Sequence, residues 1–313
     1  ISLNPNYAEA YSNRGIILQY FNRFDEALMD YNHAIALKPD YYEAYFNKSL
    51  LKIIKGDYLE GWKLYEWRWK KSDFNLFLFL TDKPKFSLGK SKRVLVWPEQ
   101  GLGDVLMFTS LLSEFKELCS KLIVQVDARI ISLLSRSQKK DITFIPMNEY
   151  VNEDEYDEHI PIGGLCQYLR NDEESFKKTR NGWLLDDKVR TAIIKKELLH
   201  RSNSGYHKKI CGISWRSKGK ETSANRSLDL KSFIGMLALE GYVYVSLQYG
   251  DTSEEISIVR DELGVDIISY EEIDNFMDID GVACLIQACD VVVSIDNTTV
   301  HLAGALGKDV RVL

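Results

Sequence analysis

The sequence lacks what several protein classes require. Its five cysteines, at positions 119, 166, 211, 284 and 289, include no Cys-x-x-Cys pair. An odd, scattered set is neither a disulfide framework nor a zinc-ligand set, so five reduced thiols are expected. The most apolar stretch, Phe74 to Leu80, is far short of the roughly 20 residues that cross a bilayer. The N-terminus has no basic-then-apolar layout of a secretion signal. These absences point to the cytosol, with peripheral placement at the inner membrane as a variant. An excess of positive charge is missing too: 40 Lys+Arg stand against 46 Asp+Glu, a net charge of -6. Without a global basic field to capture a phosphate backbone, nucleic acid is not an expected partner. Proline is scarce, 6 residues against 19 Gly, which is the composition of a packed protein rather than a disordered or fibrous one.

What is present begins with a core. Of 313 residues, 45% are hydrophobic and 27% charged, enough for two domains of about 150 residues with room for a small third. The first segment repeats itself. Ile1-Ser2-Leu3-Asn4-Pro5-Asn6-Tyr7 aligns with Ile35-Ala36-Leu37-Lys38-Pro39-Asp40-Tyr41, and the same shift of 34 residues superposes Ala10-Tyr11 on Ala44-Tyr45, Phe24 on Tyr58 and Tyr31 on Tyr65. Each unit reads as a helix pair. Gly15, Ala27 and Ala34 allow close approach, Tyr11, Leu18, Phe24 and Tyr31 fill the groove, and Pro39 stops the second helix. This period and pattern resemble the tetratricopeptide repeat. Ile1 to Pro5 reads as the tail of an earlier repeat, so further repeats are expected upstream. Trp62, Tyr65, Trp67 and Trp69 follow at near-helical spacing, and the plainer reading is that they pack the last repeat against what comes next rather than stack on a ligand.

After a connector that breaks the periodicity, short apolar strands alternate with helices. Strands are expected at 94–97, 122–126 and 142–145, with a helix over 104–118 between the first two. After a polar stretch at 200–205 the pattern resumes, with strands at 210–214, 243–247, 265–268 and 291–295 and a helix over 281–289. Such alternation predicts parallel sheets covered by helices, and two doubly wound units should bind ligands beyond the carboxyl ends of their strands. The expected units are 1–72 (helical repeats), 73–91 (connector), 92–205 (first α/β unit) and 206–313 (second, incomplete).

Four motifs fall at strand ends. In Glu99-Gln100-Gly101-Leu102-Gly103-Asp104, two glycines bring backbone close to a ligand. Leu106 stands where a dinucleotide fingerprint needs its third glycine, although Asp127, ending the second strand, imitates a ribose-binding acid. Asp104 is either a helix cap or a cap that is also a base able to accept a proton from a hydroxyl. After Gly212-Ile213-Ser214-Trp215, Arg216, Lys218, Lys220 and Arg226 place four cations within eleven residues, a set that suits a diphosphate or forms a solvated loop. Gln248 and Tyr249 could meet a base or ribose, or simply turn the chain. Asp296-Asn297-Thr298-Thr299 opens a helix rich in small residues, whose N-terminus can receive an anion or a sugar hydroxyl. His301 in that helix is by itself more often a packing residue than an acid or base. Asp278-Ile279-Asp280, a triplet that could suggest a metal, reads better as the N-cap of helix 281–289.

Together, Gly103-Asp104, the basic loop after Trp215, and Asp296 to Gly307 resemble the heptosyltransferase-type, family 9 glycosyltransferases of the GT-B fold. The whole chain resembles bacterial tetratricopeptide-repeat proteins carrying such a domain at the C-terminus. The resemblance implies an α + α/β architecture, a short repeat array followed by two Rossmann-like domains, with this chain cut short at both ends. It implies an inverting transfer from a nucleotide-sugar donor to a glycan, lipid-glycan or protein acceptor, with no cofactor and no metal. Asp104 and His301 would then be catalytic. Gly103, Trp215, Arg216, Lys218, Arg226, Gln248, Asp296, Asn297, Thr298 and Thr299 would hold the donor. The repeats would offer a surface to a protein partner. Two alternatives are a repeat scaffold with an inactive transferase domain, and a protein glycosyltransferase resembling the peptide O-GlcNAc transferases.

Overall fold

Four helices open the chain: α1 (Ala8–Tyr20), α2 (Phe24–Leu37), α3 (Tyr42–Ile54) and α4 (Tyr58–Tyr65), the last running into a 3-10 turn at Glu66–Lys70. The computed structural model describes residues 1–70, 79–89, 92–138, 140–178, 181–202, 209–217, 227–237 and 241–313. The helix pairs approach where the sequence is small. Ala27, Ala34 and Ala44 are fully buried, and a Cβ on Gly15 would stand 2.6 Å from the ring of Tyr31. Helix α2 ends at Leu37, just ahead of Pro39, whose ring cannot continue it.

The first α/β unit contains β1 (Lys92–Trp97), α5 (Leu102–Phe108), α6 (Leu112–Phe115), β2 (Cys119–Val126), α7 (Ile131–Ser137), β3 (Ile142–Pro146), β4 (Glu158–Pro161), α8 (Cys166–Leu169) and α9 (Glu173–Phe176). Next come α10 (Lys188–Arg201), β5 (Lys209–Ser214), α11 (Leu230–Leu237), β6 (Tyr242–Ser246), α12 (Ser253–Leu263), β7 (Ile267–Ile268), α13 (Ile279–Ala288), β8 (Val291–Ser294), α14 (Thr298–Ala305) and β9 (Val310–Val312). The strands form two sheets, a four-stranded one in the order β3-β2-β1-β4 and a five-stranded one in the order β7-β6-β5-β8-β9. Among the described residues every strand pairing is parallel. The class is therefore the expected α + α/β, a helical array followed by two Rossmann-like sheets. Strands β1 and β2 read as near-continuous apolar runs because helices cover both faces of a parallel sheet. Each sheet reverses its strand order once, between β1 and β4 and between β5 and β8.

The single helix expected over 104–118 is two short α-helices joined and ended by 3-10 turns. Strand β4, Glu-His-Ile-Pro, was not anticipated. Its polar residues are buried because each is partnered: Glu158 accepts from Ser87 N–H at 3.1 Å and pairs with Lys92, while His159 Nδ1 accepts from Trp97 Nε1 at 3.0 Å. One apolar cluster is shared by both sheets, uniting Val94, Val96, Leu106 and Leu112 with Leu285, Ile286, Val292 and Leu302. The two units thus bury a common core, at roughly 1.5–3 kcal/mol per large apolar side chain. All five cysteines are free and buried. Asp278 caps α13 as expected, accepting from Gly281 N–H at 2.8 Å, and both carboxylates of that triplet face guanidinium groups, Asp278 on Arg190 and Asp280 on Arg136.

Helix α10 lies along α13, held by Lys195–Asp290 at 3.1 Å and by Arg190–Asp278. The tryptophan cluster packs, as its plainer reading had it. Trp62 rests against the shared core, Trp67 stacks on Tyr45 with centroids 3.8 Å apart, and Trp69 meets Trp97 of β1 at 5.2 Å.

Candidate functional site

The two strand-order reversals face one another. Helix α5 leaves β1 at the reversal of the first sheet and α14 leaves β8 at that of the second, and the N-terminal halves of these helices pack together across the crevice. In open α/β sheets this is where ligands sit. The approach is close: a Cβ on Gly103 would stand 2.7 Å from Cδ2 of His301. Glycine is needed there by contact between helices, which accounts for Gly103 without a ligand. Gly103→Ala is expected to destabilise by about 1 kcal/mol despite the better helix propensity of alanine. In a His301→Ala background the same change should become neutral or stabilising, as thermal unfolding of the four variants would show.

Asp104 lies in the first turn of α5, three residues beyond the cap position, which is held by Gly101. It is not the N-cap residue that the sequence suggested. Its carboxylate turns back toward Gly101, where a Cβ would be 3.6 Å from Oδ2, the geometry by which a third-position acid reaches the start of its own helix. Burial pushes its pKa above the ordinary aspartate value. His301 and the N–H groups of Asp104 and Gly101 pull the other way, and the negative charge of Asp296 adds to the rise. Asp104, Asp296 and His301 therefore share one electrostatic neighbourhood, although they come from different sheets.

The other predicted residues divide into two groups. The amide of Gln248 is committed internally: Oε1 accepts from Ser214 Oγ at 3.1 Å, Trp215 N–H at 3.0 Å and Arg216 N–H at 2.8 Å. Asn297 caps α14 by accepting from Thr299 N–H at 2.9 Å, and its Nδ2 donates to Ser214 Oγ at 2.8 Å. These two side chains knit the ends of β5, β6 and β8 into one rigid rim. Trp215 is fully buried in the core behind the second sheet, with Nε1 donating to Glu255 at 3.3 Å. Its ring continues the inward face of β5, packed in the same cluster as Cys211 and Ile213.

In the second group, Asp296 and the start of α14 face the crevice, whereas Arg216 is held to one side. Asp296 is exposed, and Thr298 and Thr299 begin α14 and line a cavity of about 190 Å³. Arg216 is half-buried and reaches Glu255 at 3.1 Å and the Asp251 carbonyl at 3.1 Å. Lys218 and Arg226 lie outside the described residues.

The cavity is lined by Leu102 and Arg129 from the first unit and by Tyr249, Asn275, Thr298 and Thr299, among others, from the second. Asp127, the candidate ribose acid, is engaged by Arg129 at 2.6 Å. Arg129 in turn donates to the Phe276 carbonyl at 2.8 Å, tying the units together beside the cavity. Arg129 and Asn275 went unnoticed in the sequence. Arg129 follows a strand end and could have been found by that rule. Asn275 precedes a helix with no motif around it. Its Nδ2 donates to the Gln248 carbonyl at 3.1 Å, and its buried Oδ1 has no hydrogen-bond partner among the described residues. That oxygen can accept from a ligand.

Comparison with known proteins identifies the first helix pair. The tetratricopeptide repeat family model matches residues 8–41, so the array opens with such a repeat. Protein FlbA of Caulobacter vibrioides is 31% identical over 343 aligned residues, an alignment covering 100% of this chain and 55% of FlbA. The chain thus spans about half the length of the curated relative it matches. Among solved structures, a family 9 glycosyl transferase of Veillonella parvula has a TM-score of 0.48 at 12% identity, covering 71% of this chain and 80% of its own. ADP-heptose lipopolysaccharide heptosyltransferase II of E. coli has a TM-score of 0.46 at 14% identity, covering 70% and 84%. TibC, described as an iron-containing dodecameric glycosyltransferase of enterotoxigenic E. coli, has a TM-score of 0.47 at 16% identity, covering 75% and 60%. No helix among the described residues is long and apolar enough to cross a membrane.

Proposed function

We propose that the chain is the transferase part of a glycosyltransferase that moves a sugar from a nucleotide-sugar donor to a hydroxyl acceptor with inversion at the anomeric carbon. One observation carries this reading: a half-buried carboxylate, Asp104, stands in the first turn of a helix of the first sheet, in the electrostatic neighbourhood of Asp296 and His301 of the second and beside a cavity lined by both units. In the reaction, Asp104 accepts the proton of the acceptor hydroxyl as its oxygen forms the new bond to the anomeric carbon. The bond from that carbon to the donor's phosphate oxygen breaks, and the nucleoside diphosphate leaves with the electron pair. Negative charge then grows on the leaving phosphate, where Arg216 and the N–H groups at the start of α14 stabilise it without a metal ion. Lys218 and Arg226 follow Arg216 within eleven residues of the sequence. The acceptor is a glycan, a lipid-linked glycan or a protein, and the repeats are the surface that would recruit a protein.

Two expected results follow from these assignments. Saturation-transfer NMR with ADP-, GDP- and UDP-sugars should detect contact with at least one donor. Arg216→Ala should weaken it by about ten- to a hundredfold, the worth of one charge-assisted hydrogen bond. Unchanged affinity would remove Arg216 from the phosphate site. The pH profile follows from the direction of the Asp104 shift. The base works only when ionised and burial raises its pKa, so activity should be lost as pH falls, with a midpoint above the ordinary aspartate value of about 3.9. A rate that is flat down to that value would contradict the role.

A further inference from the structure

The repeat array is attached to the α/β units through the loop that precedes Asp104. Tyr65, the last residue of α4, accepts a hydrogen bond on its hydroxyl from Gln100 Nε2 at 2.7 Å. Arg68, in the following turn and wholly buried, forks onto Glu99, with Nε at 2.7 Å from Oε2 and Nη2 at 3.0 Å from Oε1. The Arg68 guanidinium is itself fixed by the Tyr65 carbonyl at 3.0 Å and by Glu66 at 2.7 Å. It also lies between the Tyr65 and Trp69 rings, 4.3 Å and 4.5 Å from their centroids. On the far side, Glu99 Oε1 accepts from Gly163 N–H at 2.7 Å, and a Cβ on Gly163 would stand 2.3 Å from that oxygen. Glu99 and Gln100 directly precede Gly101, the cap of α5 toward which the Asp104 carboxylate turns. Burial raises the Tyr65 phenol to about 12, and the charge of Asp104 is among the groups that add to the rise.

We propose that Tyr65 and Arg68 are positioning residues: through Gln100 and Glu99 the repeat array sets the placement of the Gly101–Asp104 turn, and thereby of the carboxylate. The inference rests on the proposed role of Asp104 for its catalytic consequence but not for its structural one. Packing alone would need an apolar contact between array and sheet, which the tryptophans already supply. A buried bidentate ion pair and a phenol-to-amide bond, both ending on two consecutive loop residues, add directional constraint to one short segment.

The test uses the intact chain carrying Tyr65→Phe or Gln100→Leu, each of which removes the phenol-to-amide bond while leaving the Arg68–Glu99 pair. Hydrogen exchange read by mass spectrometry should rise about tenfold in peptides covering 99–104, roughly the factor one hydrogen bond is worth. Exchange in 209–214, within the second sheet, should not change. With whichever nucleotide sugar the native chain turns over, kcat should fall about tenfold while the donor KM stays within about twofold, since Arg216 and the start of α14, the groups proposed to hold the donor phosphates, lie in the other unit. Loop exchange like that of the native chain overturns the proposal, and so does exchange that rises equally in both sheets. A drop in kcat with native loop exchange overturns it as well. If the native chain turns over no nucleotide sugar, the transferase reading fails by itself and the exchange pattern still decides the positioning role.

Discussion

Asp104→Asn should reduce turnover at least a hundredfold while leaving the protein folded. Asparagine has the same shape, so the packing of α5 against α14 is kept. The variant also loses a negative charge that burial disfavours, and its stability should stay within about 1 kcal/mol of native. What disappears is the basic lone pair, and general-base catalysis contributes a factor on the order of 10² to 10⁴. Circular dichroism and thermal unfolding would establish the fold, and release of nucleoside diphosphate would measure turnover. Near-native turnover in a folded variant would make Asp104 a structural residue and place the base elsewhere.

The largest expected effect on stability lies at Arg68. Both Arg68 and Glu99 have side chains with no solvent exposure. Arg68→Met should cost on the order of 3–5 kcal/mol, because it leaves a carboxylate buried without its partner. The double variant Arg68→Met with Glu99→Gln should recover most of that loss. Glutamine is neutral, and its side-chain oxygen still accepts from Gly163 N–H, so the unpaired buried charge is gone and only the weaker penalty of an unpartnered amide NH2 is left. Denaturant unfolding of the two single variants and the double would give the coupling between the sites. If the single and double variants are equally unstable, the pair is not the linkage described here. Burial favours the neutral acid and Glu99 is shifted up by it, whereas Arg68 is shifted further up by the adjacent carboxylates. Arg68 is the firm member of the pair, since a guanidinium stays charged wherever it is placed.

The repeat period, the strand alternation and the strand-end motifs were all readable because each is local. A 34-residue shift superposes small residues on small ones, and Val-Leu-Val-Trp or Val-Val-Val-Ser can only be buried strands. Other features depended on partners distant in sequence. Strand β4 hid because Glu158 and His159 are polar, and their burial makes sense only beside Lys92, Ser87 and Trp97. Gln248 and Asn297 stand at strand ends, as ligand-binding residues do. Their amides are nonetheless spent on Ser214 and on the backbone of Trp215, Arg216 and Thr299, a cost of building a rigid rim that no single motif discloses. Trp215 follows the inward side of its strand rather than the motif beside it. Arg68 has no motif around it, and only the fold brings it to Glu99, 31 residues on. Gly103 was legible as a close approach, and the fold shows that His301 of the second sheet is one partner of it.

Expected consequences for the array can be separated from those for the site. Deleting residues 1–40 removes the first repeat while keeping Tyr65, Arg68 and the tryptophans. If the repeats recruit a protein acceptor, donor hydrolysis should persist while transfer to that acceptor is lost. Aggregation or loss of both activities would instead mark the first repeat as cover for the units behind it.

The central claim, that the crevice between the two sheets transfers a sugar from a nucleotide donor, is tested most directly by incubating the intact chain with a panel of nucleotide sugars. Nucleoside diphosphate release and products are followed by mass spectrometry. The account predicts release from at least one donor, lost in Asp104→Asn and reduced in Arg216→Ala. A folded chain that leaves every donor intact, or that releases the nucleotide equally well without the Asp104 carboxylate, would contradict it.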